Sequence, residues 1–271
     1  MFVRSNRLLA ATVALFGAAA IHAAPITTWS VGVDTRFDTT TVLPAGVTIV
    51  NDKELRWGTP ATSAGDSGLI ITDSPITTFI DTDGPAVSNV SVTHRNNPIF
   101  APSLTSVDIK STLTLTPSVP GGPGLPAATI TFGVNFFETP NSANPCADGT
   151  ANGVGVNVNG CGDIFVISQD ALNFAFQYAD IGGDTPGFLR TYFISFFELT
   201  TGLNPLSAAA CAAAGATAPC LGFITPEEAT TTVQFAAVIT TDPVSIPEPG
   251  ALALVGLGLG LAGWARRRRV V

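Results

Sequence analysis

Few side chains in this sequence have the type and spacing for chemistry. His22 falls in an amino-terminal leader, so any imidazole chemistry rests on His94. Ser and Asp are plentiful, yet no nucleophile-elbow pattern joins them to that histidine, and abundance does not make a triad. His94 follows Val90-Ser91-Val92 and precedes Arg95-Asn96-Asn97-Pro98, which predicts a strand-end turn and a structural histidine that bonds loop backbone. Glu138 and Glu198 each follow a paired-Phe strand end, where an apolar neighbourhood raises a carboxyl pKa, and two such carboxyls are the equipment of a glycoside hydrolase. Two carboxylates capping strands at the sheet rim is the preferred reading. Asp81-Thr82-Asp83-Gly84 has half the alternation of a calcium loop but no acidic residue to close it, and Asp180 to Asp184 around Gly182-Gly183 is similar. Plain Asp-Gly turns are preferred at both. Trp29, Trp57, Tyr178 and Tyr192 would stack on sugar rings if exposed, and Trp57, between Arg56 and Gly58, is the one expected at the surface. The expectation is therefore a protein that is not an enzyme, with no cofactor and no assigned metal, and with His94, Asn96 and Trp57 as its tentative ligand or structural residues.

Cys146, Cys161, Cys211 and Cys220 all lie beyond the leader, where an oxidising compartment favours disulfides. Three pairings are open. Cys146–Cys161 with Cys211–Cys220 is favoured, because each closes a Gly- or Ala-rich loop between strand candidates. Zinc is a poor alternative, since the spacings are wide and one histidine accompanies them.

The elements that would position these groups are strands. In Ala171 to Tyr178 the residues Leu172, Phe174, Phe176 and Tyr178 share one face, and Val107 to Pro117 alternates the same way, with Val107, Ile109, Ser111, Leu113 and Leu115 opposed to polar neighbours. Further candidates are Thr28 to Phe37, Gly68 to Thr72, Val87 to Thr93, Thr129 to Phe137, Asp163 to Ser168, Phe188 to Leu199 and Thr231 to Ile239. Nine or so strands separated by Gly, Pro and Asn turns predict an all-β, antiparallel β-sandwich or jelly-roll ectodomain. A short helix is expected at Leu206 to Ala214, ending at Gly215. A second helical turn is expected at Thr225, whose capping-box partner is Glu228. Gly121-Gly122-Pro123-Gly124 reads as a long hairpin loop.

The composition is apolar and turn-rich, 46 % hydrophobic against 12 % charged, with 27 Gly and 20 Pro among 271 residues. That excludes a disordered solvating chain. Six of the twelve basic residues sit in the two end segments, leaving six against nineteen acidic groups between them, about −13. Such a charge excludes nucleic acid as a partner and suits a soluble surface protein.

Arg4 and Arg7 precede an apolar run from Leu8 to Ile21 that ends in Ala23 and Ala24, the order of a secretory signal peptide over residues 1–23, cut by signal peptidase. Residues 24–245 form the ectodomain and 246–271 the anchor. In the anchor, Pro247-Glu248-Pro249 leads into the uncharged stretch Ala251 to Ala265 and then Arg266, Arg267, Arg268 and Arg269. A helix here spans about 24 Å, short of the roughly 30 Å hydrocarbon core. Trp264 would sit at the interface and the arginines on the cytoplasmic side, giving a single-pass precursor with its bulk outside the cytoplasmic membrane.

This tail resembles the PEP-CTERM sorting segment of Gram-negative bacteria. The resemblance implies recognition and cleavage by the membrane cysteine protease exosortase, in species that make exopolysaccharide. Leu55-Arg56-Trp57-Gly58, Thr93-His94-Arg95-Asn96, Asn135 to Asn141 and Cys161 to Val166 are similar to segments of the THxN group of PEP-CTERM proteins, which has no assigned activity. Together these imply an exported, exosortase-sorted protein of the cell surface or extracellular matrix, without catalysis and associated with exopolysaccharide. The alternative is a carbohydrate-binding module, with calcium dependence as a further option.

Overall fold

In the computed structural model, which describes residues 25–167, 173–181, 187–200 and 203–244, antiparallel strands account for nearly all regular structure. In chain order they are β1 (Thr28–Leu43), β2 (Thr48–Asn51), β3 (Glu54–Trp57), β4 (Thr59–Pro60), β5 (Ser67–Thr72), β6 (Ile76–Asp81), β7 (Val87–Asn96) and β8 (Ile99–Phe100). There follow β9 (Ser106–Val119), β10 (Ala128–Phe137), β11 (Asp163–Ile167), β12 (Asn173–Ala179), β13 (Leu189–Glu198), β14 (Asn204–Pro205), β15 (Leu221–Thr225) and β16 (Ala229–Thr240). One sheet has the order β14-β15-β11-β10-β9-β1-β6 and the other β12-β13-β16-β7-β5-β3-β2, while β4 and β8 pair separately.

Period-two patterning explains why the two sheets stack. In β1 the residues Trp29, Val31, Val33, Thr35 and Phe37 are buried, and in β9 so are Val107, Ile109, Ser111, Leu113 and Leu115. The ladder sets Val33 opposite Leu113 and Phe37 opposite Ile109, so both strands turn the same face inward. From the second sheet Val90, Val92, Ile194, Val233 and Phe235 join one continuous core. At each core position a full burial of Val, Leu, Ile or Phe contributes about 1.5–3 kcal/mol. Two hydroxyls on inward positions, Thr35 and Ser111, bond each other at 2.8 Å and so avoid an unpaired polar group inside.

All nine strand candidates coincide with strands over their described residues, Ser168, Ala171 and Leu172 lying outside these. The capping-box turn expected at Thr225 does not form, because its flanks are committed to ladders. Thr225 is opposite Asp163 in the first sheet, and Ala229 is opposite Asn96 in the second. Pro226-Glu227-Glu228 therefore crosses between sheets at one end of the sandwich, with Glu228 at φ 57°. The expected helix is present as α1 (Ala208–Ala213), whose cap Ser207 accepts a hydrogen bond from the Ala210 N–H. It packs on the outer side of β11 with Ile164, Val166, Cys211 and Cys220, so all five residues of β11 are buried. Both disulfides, Cys146–Cys161 and Cys211–Cys220, are formed.

Candidate functional site

At one end of the sandwich, polar side chains occupy positions where the strand period calls for core residues. Asp163 shares parity with the core residues Phe165 and Ile167 of β11, and Glu138 continues Val134 and Phe136 just beyond β10. His94 and Asn96 continue Val90 and Val92 in β7, and Thr225 continues Phe223 in β15. Trp57 closes β3 two residues after the buried Leu55. Each of these groups therefore faces the space between the sheets, and Glu227 joins them from the crossover.

Trp57 and His94 stack with ring centroids 5.7 Å apart and planes 9° from parallel, and Phe136 meets both edge-on at 5.0 Å. The Trp57 indole N–H donates to Glu138 Oε2 at 3.3 Å. The carboxyls of Glu138 and Asp163 lie within hydrogen-bonding reach of each other. The Thr139 N–H donates to Asp163 Oδ1 at 2.9 Å, and the Asn96 amide donates to the Thr225 carbonyl at 3.1 Å. Gly162 makes this approach sterically open, since a Cβ there would stand 2.8 Å from both Ile224 Cγ2 and the Thr225 carbonyl oxygen.

The loop from Glu138 to Gly162 covers this end. Asn157 accepts from the Gly162 N–H at 2.8 Å and donates to both oxygens of Asp148. Asn152 donates to the carbonyls of Asn141 and Ala143, and the Cys146–Cys161 bridge closes the loop.

Electrostatics here are those of desolvated acids. Burial, and next the charge of Glu138, push Asp163 well above the usual carboxylate range, and burial also raises Glu138 against the opposing hydrogen bonds from Asp163 and Trp57. Burial and then the Glu138 charge raise Glu227 to about 7, while the Asn141 side chain and the Glu228 N–H hold it back. Burial, and then the neighbouring Arg95, lower His94 to about 3, so its ring is neutral. Neither His94 nitrogen has a hydrogen-bond partner, and the same holds for Asn96 Oδ1, Thr139 Oγ1, Asn141 Oδ1, Asp163 Oδ2 and Thr225 Oγ1. Neither oxygen of Glu227 makes a hydrogen bond of good geometry.

Several expectations are corrected. Trp57 is 2 % exposed and no surface platform, and Trp29, Tyr178 and Tyr192 are buried as well, because each lies on the inward parity of its strand. His94 stands inside β7, not in a turn after it, and bonds no loop backbone. Glu138 has Asp163 as its partner, whereas Glu198 accepts from Thr200 and, at 3.4 Å, from Leu203 N–H. In the Asp81 turn the carboxylates are engaged by Thr28 and Thr241, and Asp180 forms a two-pronged pair with Arg190. Sequence reasoning gave no site role to Asp163, Glu227, Thr139 or Asn141, and read Thr225 as a helix cap. A signal was available for Asp163 in the parity of its strand, while Glu227 required knowing where the crossover runs.

Residues 245–269 match the PEP-CTERM protein-sorting motif. A tail of this kind marks an exported protein sorted by exosortase. No curated protein matches the chain. Residues 1–23, expected as a signal peptide, and the sorting residues Pro247, Glu248, Pro249, Trp264 and Arg266 to Arg269 lie outside the described residues. Among the described residues no helix is long and apolar enough to cross a membrane.

Proposed function

We propose that this chain is a surface or extracellular-matrix protein of the THxN kind, exported behind a cleaved signal peptide and held briefly by its tail until exosortase cuts it. Its sandwich then serves a non-catalytic role in association with exopolysaccharide. The sorting motif at 245–269 carries this reading, because it dictates delivery to the outside and processing at the membrane. Two features of the ectodomain support it. The disulfides suit an oxidising compartment. The groups best equipped for chemistry, His94 and Asp163, are fully buried, so neither presents itself to a sugar-sized substrate.

The test is intact mass and fractionation of the protein made in its native host. The expected product lacks Arg266 to Val271 and is found outside the cytoplasmic membrane, and replacing Pro247, Glu248 and Pro249 with alanines leaves the full tail in the membrane fraction. A wild-type mass that includes Arg266 to Val271 overturns the reading.

A further inference from the structure

We propose that the end of the sandwich bounded by Glu138, Asp163 and Glu227 binds one hard divalent cation of the calcium type, held between the sheets by carboxylate, amide and hydroxyl oxygens. These acids face a deficit of donors. Asp163 is fully buried with Oδ2 facing no donor, and the adjacent Glu138 is another acceptor. A third carboxylate, Glu227, is 2 % exposed with neither oxygen well bonded. None of the ion pairs among the described residues includes any of the three. Arg95, the nearest cation along β7, is engaged by Asp66.

The surroundings point the same way. Thr139 and Thr225 are 2 % and 0 % exposed, and each holds a buried, unpartnered hydroxyl, that of Thr225 on the inward parity of β15, while Asn141 adds an unpartnered amide oxygen. Thr139 touches Asp163 through its N–H, Thr225 is opposite Asp163 in the ladder, and Asn141 approaches Glu227. A shared proton would join Glu138 to Asp163 but leave both hydroxyls and the Asn141 oxygen without a partner, and Glu227 with only the loosely placed Asn141 amide and Glu228 N–H. A cation of coordination number six to eight engages them together. Among the described residues no three His, Cys, Asp or Glu side chains close up as a metal centre by themselves. The donor set is instead the Glu138–Asp163 pair with Glu227 beside it, completed by neutral oxygens, which suits calcium and disfavours softer metals that seek nitrogen and sulfur. Entry of the cation displaces the protons these acids hold, and the protons pass to solvent.

The four sequence segments singled out above, around Trp57, His94, Glu138 and Asp163, meet at this point from four strands of two sheets. Trp57, hydrogen-bonded to Glu138, makes the site readable by terbium, a calcium substitute whose emission is sensitised by a nearby indole. The full-length chain with its disulfides intact is purified in detergent, stripped with EGTA and titrated with terbium, then with calcium and magnesium as competitors. The expected result is one sensitised terbium per chain, displaced by calcium at least tenfold more effectively than by magnesium, and a melting temperature that rises when calcium is restored. Glu227→Gln and Asp163→Asn weaken binding at least tenfold, Trp57→Phe removes most of the sensitised emission, and Glu198→Gln changes neither. Should Asp163→Asn fail to fold, the wild-type melt and Glu227→Gln still decide the matter. Absence of sensitised emission together with a melt indifferent to millimolar calcium overturns the proposal, as does emission that survives Trp57→Phe.

Discussion

The indole N–H of Trp57 donates to Oε2 of Glu138 at 3.3 Å, joining residues 81 apart in sequence. The bond ties the last residue of β3 in one sheet to the first residue beyond β10 in the other. Both partners lie on inward strand parity, so the contact is made in the space between the sheets, where it also orders the Glu138–Asp163 pair. One face of the Trp57 ring is stacked by His94, and at 2 % exposure the residue presents no ring face to solvent.

Removing that donor leaves a partly buried carboxylate with one partner fewer. Trp57→Phe keeps most of the apolar contact with His94 and Phe136 and loses the hydrogen bond. A destabilisation of about 1–3 kcal/mol is expected from the unsatisfied group, with some packing loss added. Urea unfolding of wild type and variant measures it, and an unchanged midpoint would show that Glu138 does not depend on Trp57.

His94 makes the protein acid-sensitive. Its folded-state pKa is lowered to about 3 from 6.5 by burial and then by Arg95, so below the unfolded value the unfolded chain takes a proton that the native chain refuses. Stability is thus full above about pH 6.5 and falls as pH drops toward 3, by on the order of 3 kcal/mol at pH 4 from this group. His94→Phe keeps the ring stack with Trp57 and gives up no hydrogen bond, since neither ring nitrogen has one. The variant should match wild type at pH 7.5 within about 1 kcal/mol and melt higher than wild type at pH 4. A parallel decline of both proteins with acid would remove His94 as the cause.

The strand content was legible because each long strand alternates strongly. Val107 to Pro117 and Thr28 to Phe37 announce their inward faces by residue type alone. The short strands β2, β3, β6 and β15 were not, since their mixed polar and apolar residues form no clear run and their place is set by neighbouring strands, whereas the equally short β5 and β11 carry unbroken apolar runs. The site was hidden for a related reason. Asp163 and Asn96 are polar residues on inward parity, and local pattern reads such a residue as the end of a strand and the start of a rim. What makes them interior is the opposing sheet, together with the loop from Glu138 to Gly162 that covers them. Trp57 was misplaced by its neighbours Arg56 and Gly58. Arg56 is outward and paired with Glu54, and Gly58 is required at φ +82° where a Cβ would strike Ile99.

The Cys146–Cys161 bridge spans 15 residues and holds the loop that carries Asn141, Asp148 and Asn157 against the start of β11. In the chain-entropy model its removal costs about 3 kcal/mol, and removal of Cys211–Cys220, which spans 9 residues, a little less. The two losses should differ in kind. Paired serine replacement at Cys146 and Cys161 is expected to speed amide exchange at Thr139 and Asp163 beyond the global loss of stability, because the loop supplies the Thr139 N–H. Replacement at Cys211 and Cys220 should loosen α1 and leave those amides protected. Hydrogen exchange resolves the two, and equal exchange at Thr139 in both variants would deny the loop its role at the site.

If the ectodomain binds polysaccharide, it does so without the aromatic stacking that most sugar platforms use. Trp29, Trp57, Tyr178 and Tyr192 are each less than a tenth exposed, so none presents a ring to solvent. Contact would fall to the hydroxyl and amide groups on the outer sheet faces, such as Thr114, Thr116, Thr129 and Thr131, which alternate with core residues in β9 and β10. Probing an array of bacterial and plant polysaccharides with wild type and with Trp57→Phe, at a temperature where both are folded, should therefore give the same profile. Selective loss of a glycan signal in a variant that melts as wild type would place a sugar at Trp57. Because His94, stacked, and Phe136, edge-on, already pack against that buried ring, such a result would require the end of the sandwich to open on binding.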